Sequence, residues 1–379
     1  MTGLPPRSVA VVLGTRPEIV KLAPVIRRLG DVAFVIHTGQ HFDGSMSEVF
    51  LREHGLAEPD LRLAAGGYGR AEQLSHMLVG LDRLFAEGRF VATVVQGDTN
   101  STLAGALAAN GRGVPLVHVE AGLRSHDRAM PEEHNRVMTD HLADVLCAAT
   151  PDNVANLRAE GIPASRIRLT GNTVVESVLD QLPERPARLR LLVELGLKPD
   201  GYVLATIHRP ENTDSAVTLR AILTELAVLP LPVVLPLHPR TAAAAAGAGL
   251  EELLAQLRVV DPVGSATFLA LAAHAAVLVS DSGGVQEECT VLKRPLVVVR
   301  RSTERPEAMT DFAVLVAPGP QIGHGVGAML EGHAQRIATL KRLPSPFGDR
   351  TAADLVVDTI RDLVDGPRQT LAMTAQHQG

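Results

Sequence analysis

The chain has no tryptophan, only two cysteines and only 3% aromatic residues among its 379. So few rings argue against stacking platforms for strands of nucleic acid. Basic excess is also missing: 36 Lys and Arg stand against 42 Asp and Glu, a formal net charge of −6. A nucleic-acid binder normally carries the opposite balance, so no nucleic-acid partner is expected. A local basic pocket for a phosphorylated small molecule is still allowed. Cys147 and Cys289 cannot build a disulfide framework or a cysteine zinc site, and their apolar neighbourhoods suit free buried thiols. The histidines show no metal-ligand spacing, so no metal is expected. No stretch reaches the roughly 18 uninterrupted apolar residues of a membrane span. Residues 1–8 lack the charged-then-apolar pattern of a signal peptide. The expectation is a soluble, cytoplasmic protein. A Walker loop and a Gly-x-Gly-x-x-Gly fingerprint after the first strand are both absent, and Gly66-Gly67-Tyr68-Gly69 reads as a plain loop.

What is present is a large apolar fraction, 46%, enough for full globular cores. At about 150 residues per domain the length suggests two domains. Short β-branched runs at 9–13, 32–38, 91–96, 114–119 and 144–149 alternate with helical patterns at 18–29, 71–86, 101–110 and 133–143. This alternation predicts a doubly wound α/β domain whose strands are covered on both faces. A Pro- and Arg-rich stretch at 181–189 (Pro183, Arg185, Pro186) reads as a linker. The alternation then restarts, with strands at 202–207, 233–237, 257–260, 276–280, 296–299 and 314–317. Helices are expected at 214–228, 241–256, 267–275, 285–292 and 333–342. The predicted division is 1–182, 183–350, a last helix within 351–365 that can pack back on the first domain, and a tail at 366–379.

Ligands of open α/β sheets bind beyond the carboxyl ends of the strands, and the unusual residues cluster there. Gly14-Thr15-Arg16-Pro17-Glu18 follows the first strand and opens a helix, with Arg16 and Lys21 beside its N-terminus, where anions are favoured. Lys21 is the only lysine before Lys198. A capped turn with solvated basic residues is the bland alternative. Gln96-Gly97-Asp98-Thr99 follows another strand, and Asp98 reads equally as a helix cap. Glu120 ends the run 114–119, where a carboxylate is costly unless it faces a cleft or a cation. Met130-Pro131-Glu132-Glu133-His134-Asn135-Arg136 has the form of an ordinary helix start. Together, Asp98, Glu120 and Glu132 can converge as proton donors and acceptors.

The second half repeats the placement. His208, in His208-Arg209-Pro210-Glu211-Asn212, titrates near neutrality in its free form. His238-Pro239-Arg240 follows the next strand. Ser280-Asp281-Ser282-Gly283-Gly284 then lets backbone approach a phosphate, Ser282 adds a hydroxyl, and Glu288 lies one helical turn on. Arg305 offers a guanidinium. A glycine turn with a serine cap, and solvated loop charges, are the structural alternatives.

Gly14–Glu18, Gly97–Thr99, Val119–Arg124, Pro131–Arg136, His208–Asn212, Ser280–Glu288 and Glu304–Ala308, in this order, resemble the bacterial non-hydrolysing UDP-N-acetylglucosamine 2-epimerase family over residues 9–365. The resemblance implies two Rossmann-like domains of GT-B type, with the active site in the cleft between them. It implies interconversion of UDP-GlcNAc and UDP-ManNAc, by elimination of UDP to a 2-acetamidoglucal and re-addition with inversion at C2. No cofactor is implied, and a homodimer is. By matching position it implies Asp98, Glu120, Glu132 and His208 as acid/base groups. Ser282, Gly283, Gly284 and Arg305 would hold phosphate, Glu288 the ribose, and Phe268 would lie beside uracil. Arg16, Lys21 and His238 match further substrate contacts. Gln40 and His41 fall where many members bind an allosteric UDP-GlcNAc. The spacing from Gln40-His41 to Met46, longer than in those members, is similar to a branch that includes epimerases of 3-substituted UDP-sugars. Thr267 stands where many members carry an acid. A 3-substituted UDP-HexNAc, a hydrolysing variant releasing ManNAc, a silent UDP-sugar-binding regulator and a glycosyltransferase are the competing readings.

Overall fold

The computed structural model describes residues 8–40, 50–87 and 90–365. Two wholly parallel sheets organise them. The first has the order β3-β2-β1-β4-β5-β6-β7, built from β1 (Ser8–Leu13), β2 (Ala33–His37), β3 (Leu61–Arg62), β4 (Phe90–Gln96), β5 (Leu116–Ala121), β6 (Val145–Ala148) and β7 (Ile167–Leu169). The second has the order β10-β9-β8-β11-β12-β13, from β8 (Val203–Thr206), β9 (Val233–Pro236), β10 (Arg258–Val260), β11 (Val277–Ser280), β12 (Leu296–Val299) and β13 (Ala313–Val316). In each sheet the strand order reverses next to its first strand. This puts switch points between β1 and β4 and between β8 and β11, where doubly wound sheets take their ligands.

Each sheet is buried on both faces, which is why its strands read as apolar runs rather than alternating ones. One face of the first sheet carries Ala10, Val12, Ile36 and Leu146 into a core with Met77, Leu81 and Leu157. The other turns Val9, Val11, Val94 and Val117 towards Ile19, Leu22 and Val25. The helix Ala352–Asp365 closes this second layer with Ala353, Val356, Val357 and Ile360. Its start is tied down by Glu176, whose Oε1 accepts from the Ala353 N–H at 2.7 Å. A smaller apolar cluster joins the two halves: Val174, Val175 and Val178 pack with Leu269, Ala308 and Phe347. Cys147 and Cys289 are free and buried, and burial pushes the Cys147 thiol up to about 12.

The expected linker at 181–189 is corrected. A helix, Arg185–Glu194, begins inside it, with Pro186 in its first turn, where a missing N–H costs nothing. The expected single helix 241–256 is two, Pro239–Gly247 and Glu251–Leu254, because Gly249 adopts φ +63° between them. Edge strands β3 and β7 are too short to leave a pattern. The helix Gln321–Leu330 was hidden by Gly323, Gly325 and Gly327, poor helix formers. Gly325 packs closely there: a Cβ would crowd Val297 at 3.2 Å. Among the described residues no helix is long and apolar enough to cross a membrane.

Candidate active site

At the first switch point Gly14 lies where a Cβ would come within 2.0 Å of Thr38 Oγ1 and 2.3 Å of Ser101 Oγ. The turn therefore presses against the start of the helix Asn100–Gly111. Glu18 fastens the two. Its carboxylate accepts from the Gly14 N–H (2.8 Å), Thr99 Oγ1 (2.7 Å) and Thr102 Oγ1 (3.2 Å). It is fully buried, and burial raises its pKa. Thr99 caps the helix by accepting from the Thr102 N–H, so Asp98 is not the cap. Asp98 instead pairs with the guanidinium of Arg136, whose Nε lies 3.1 Å from Oδ2. Arg136 also holds Glu133 at 2.7 Å. Glu133 fixes the preceding loop by accepting from the Ser125 and His126 N–H groups. Glu132, its neighbour, is exposed and makes no hydrogen bond or ion pair among the described residues.

Glu120 is the most constrained of the expected residues. It sits at φ +66°, beside an irregularity in the pairing of β5 with β6 between Val119 and Ala121. A left-handed non-glycine residue costs about 1–3 kcal/mol and concentrates at functional sites. The kink turns its carboxylate onto Lys21 Nζ, Gln96 Nε2 (3.0 Å) and Asn172 Nδ2 (3.4 Å). Its other oxygen meets Arg305 Nη2 at 3.3 Å. Burial raises its pKa and the Lys21 ammonium opposes the rise.

Arg305 belongs to the second sheet's half, so this is a junction between the two. Its Nε donates to Glu287 at 2.6 Å and its Nη1 to Glu304 at 2.5 Å. Glu287 in turn accepts from Lys21 Nζ at 3.0 Å. Lys21 is thus not solvated: it is buried between one carboxylate from each half. Burial alone would lift the Glu287 carboxyl, but Arg305 and Lys21 outweigh it and hold it below the usual range. Glu304 is bound further by Arg300 at 2.9 Å and faces Arg209 at 3.9 Å. Gly283 admits Arg305, because a Cβ there would meet Nη1 at 2.9 Å.

At the second switch point, His208 follows β8. Its Nδ1 is 3.1 Å from Asp281 Oδ1, and its ring, about one third exposed, lies 5.3 Å from that of His238. Ser282 precedes the helix Gly283–Leu292, and Gly284 leaves its start open, with no contact tighter than 3.6 Å at its missing Cβ. Glu288 points an oxygen, Oε2, into a buried position with no hydrogen-bond partner. Desolvation pushes its carboxyl up to about 7, and the Arg16 charge partly opposes this. Arg16 itself is exposed and lies 4.6 Å over the Phe50 ring. Phe268 packs partly buried against the second sheet's core. Its helix, Ser265–Ala272, is met at the N-terminus by Glu53, which accepts from the Ser265 N–H at 3.4 Å. Gln40 accepts from the Ser101 N–H and hydroxyl, and His41 falls outside the described residues.

A sequence profile of the UDP-N-acetylglucosamine 2-epimerase family matches residues 30–361. The chain belongs to that family. It is 36% identical to a UDP-N-acetylglucosamine 2-epimerase of Methanococcus maripaludis, over 93% of this chain and 98% of that protein. It is 37% identical to a UDP-2,3-diacetamido-2,3-dideoxy-D-glucuronate 2-epimerase of Pseudomonas aeruginosa, over 80% and 86%. Its fold superposes on the Methanocaldococcus jannaschii UDP-GlcNAc 2-epimerase solved with UDP-GlcNAc and UDP, with a TM-score of 0.83, 35% identity, and coverage of 95% of this chain and 100% of that one.

The fold thus brings Asp98, through Arg136, and Glu120, through Arg305, to the charges around Glu304, while His208 faces Asp281 at the second switch point. It leaves Glu132 exposed at the edge. Sequence reasoning did not single out Gln96, Asn172, Asp281, Glu287 or Glu304. Asn172 was the hardest to find, since β7 before it gave no strand signal. Glu287 lay within a quoted motif but was overshadowed by Glu288.

Proposed function

We propose that this member of the family interconverts UDP-GlcNAc and UDP-ManNAc. The observation that carries the reading is Glu120, a buried carboxylate on a left-handed backbone, facing the second half's Arg305. A base and a phosphate-binding cation side by side suit removal of the C2 proton coupled to loss of a phosphate from C1. The C2–H electrons form the C1–C2 double bond as the C1–O bond breaks, and UDP leaves with that electron pair. Re-attack of the UDP oxygen on C1, with a proton delivered to the opposite face of C2, completes inversion. The net change is isomerisation, and no redox partner enters the balance.

In this reading Asp98, Glu120, Glu132 and His208 share the proton transfers. The open start of the helix Gly283–Leu292, with Ser282, Gly283 and Gly284, takes the diphosphate. Arg305, Arg16, Lys21 and His238 complete its charge and contact the sugar. Glu288 receives the ribose diol on its unpartnered oxygen, and Phe268 lies beside the uracil. Preset cations lower the barrier to C1–O cleavage because charge develops on the departing phosphate. Lys21 and Arg305 are held by carboxylates before substrate arrives, so the diphosphate exchanges for part of that pairing. The functional units are taken as 1–182 and 183–350, with the helix within 351–365 returning to the first. The enzyme works in the cytoplasm as a homodimer, which light scattering of the purified protein checks.

Proton NMR of the protein with UDP-GlcNAc in deuterium oxide tests the reaction. UDP-ManNAc should appear with deuterium at C2. Free ManNAc and UDP would mean a hydrolysing enzyme. No turnover of UDP-GlcNAc beside turnover of a 2,3-diacetamido substrate would overturn the substrate assignment.

A further inference from the structure

Asp281 has no role in the proposed chemistry, yet it is the buried group around which the second switch point is built. It lies at the end of β11, immediately before the Ser282–Gly284 turn, and is 0% exposed. Its Oδ1 faces His208 Nδ1 at 3.1 Å. Its carboxylate also accepts from the backbone N–H groups of His208 (3.0 Å) and Arg209 (2.9 Å), and from Asn212 Nδ2 (3.0 Å). Asn212 is itself anchored to the Val299 carbonyl at 2.9 Å. The two backbone N–H groups and the Asn212 amide can only donate to it, so the site suits an anion. Burial alone would raise the Asp281 pKa, but these donors and the imidazole hold it below the usual range.

An ionised carboxylate cannot donate. A nitrogen 3.1 Å from that carboxylate is favoured in its N–H form, which leaves the lone pair on Nε2. His208 Nε2 has no partner among the described residues, and about one third of the side chain is exposed. We infer that Asp281 is a positioning residue that fixes His208 in the Nδ1–H tautomer and presents Nε2 to the reacting sugar or phosphate. The inference rests on the reading of His208 as an acid/base group. When Nε2 takes a proton, the imidazolium still faces Asp281 through Nδ1, so the developing charge meets an anion already in place. The same carboxylate also grips the backbone N–H groups of His208 and Arg209, which fixes the loop that carries the imidazole.

The test is Asp281→Asn, with nitrogen NMR of labelled imidazoles and steady-state kinetics, beside His208→Gln and the double variant. The amide is isosteric and can still accept from a backbone N–H, but it cannot accept from every donor. Expected in the parent protein is a protonated Nδ1 and an unprotonated Nε2 on His208. In Asp281→Asn the tautomers should mix or invert, and kcat should fall by about 100-fold. The affinity for UDP should stay unchanged. In the His208→Gln background the same substitution should change kcat by no more than about twofold. A parent His208 already in the Nε2–H form overturns the inference. So does parent-like kcat in Asp281→Asn, or an equal loss with and without His208. If His208→Gln turns over like the parent, the acid/base reading of His208 is what fails, and the NMR arm still decides whether Asp281 sets the tautomer.

Discussion

Glu288 allows the sharpest quantitative test, because the fold holds it at a cost. Its carboxyl lies in a desolvated position with Oε2 unpartnered, and its pKa rises from 4.5 to about 7. Below pH 4.5 the group is protonated in both the folded and the unfolded chain and costs nothing. Between pH 4.5 and 7 the unfolded chain gives up the proton while the folded protein keeps it, so stability falls as pH rises. Above pH 7 the cost is constant, at about 3 kcal/mol. Glu288→Gln mimics the protonated form and removes this term. Urea unfolding of both proteins from pH 4.5 to 8 should show near-equal stability at the acid end. The variant should gain steadily, to about 3 kcal/mol near pH 8. The same substitution should weaken UDP binding by roughly 10- to 100-fold, since the ribose loses a charged acceptor. A variant less stable than the parent at pH 8, or an advantage independent of pH, would refute the reasoning.

Other outcomes follow from the same geometry. Asp98→Asn and Glu120→Gln should each lower turnover by at least about 100-fold while UDP binding survives, read by NMR turnover and calorimetry; parent-like turnover in both would contradict their assignment. Glu287→Ala removes one of the two carboxylates that Lys21 and Arg305 share, leaving Glu120 against both cations, and should destabilise by about 3 kcal/mol, measured by denaturant unfolding. Gly14→Ala drives a methyl onto Thr38 and Ser101 and should cost about 1–3 kcal/mol, with a matching loss of thermal midpoint.

Much of the fold was legible because local pattern and local burial coincide in doubly wound sheets. The central strands β1, β4, β5, β8, β11 and β12 are covered on both faces, so each reads as a mainly apolar run whatever its partners. The residues after them stand out for the same reason, since a polar cluster cannot continue such a strand. Edge strands β3 and β7 bury less and left no signal, and Pro186 was mistaken for a break when it starts a helix.

The amino-acid order by itself determined the two α/β units and the positions of Asp98, Glu120, His208 and Ser282–Gly284 at strand ends, because those depend on neighbours a few residues away. Only the tertiary structure decided which charges meet. Lys21 reaches Glu287 across 266 residues and Glu120 across 99, and Asp281 lies 73 residues from the imidazole it faces. No periodicity encodes such distances. Pairing is set by which loops the two sheets bring to one junction, and a buried charge keeps its form only when that junction supplies the opposite one.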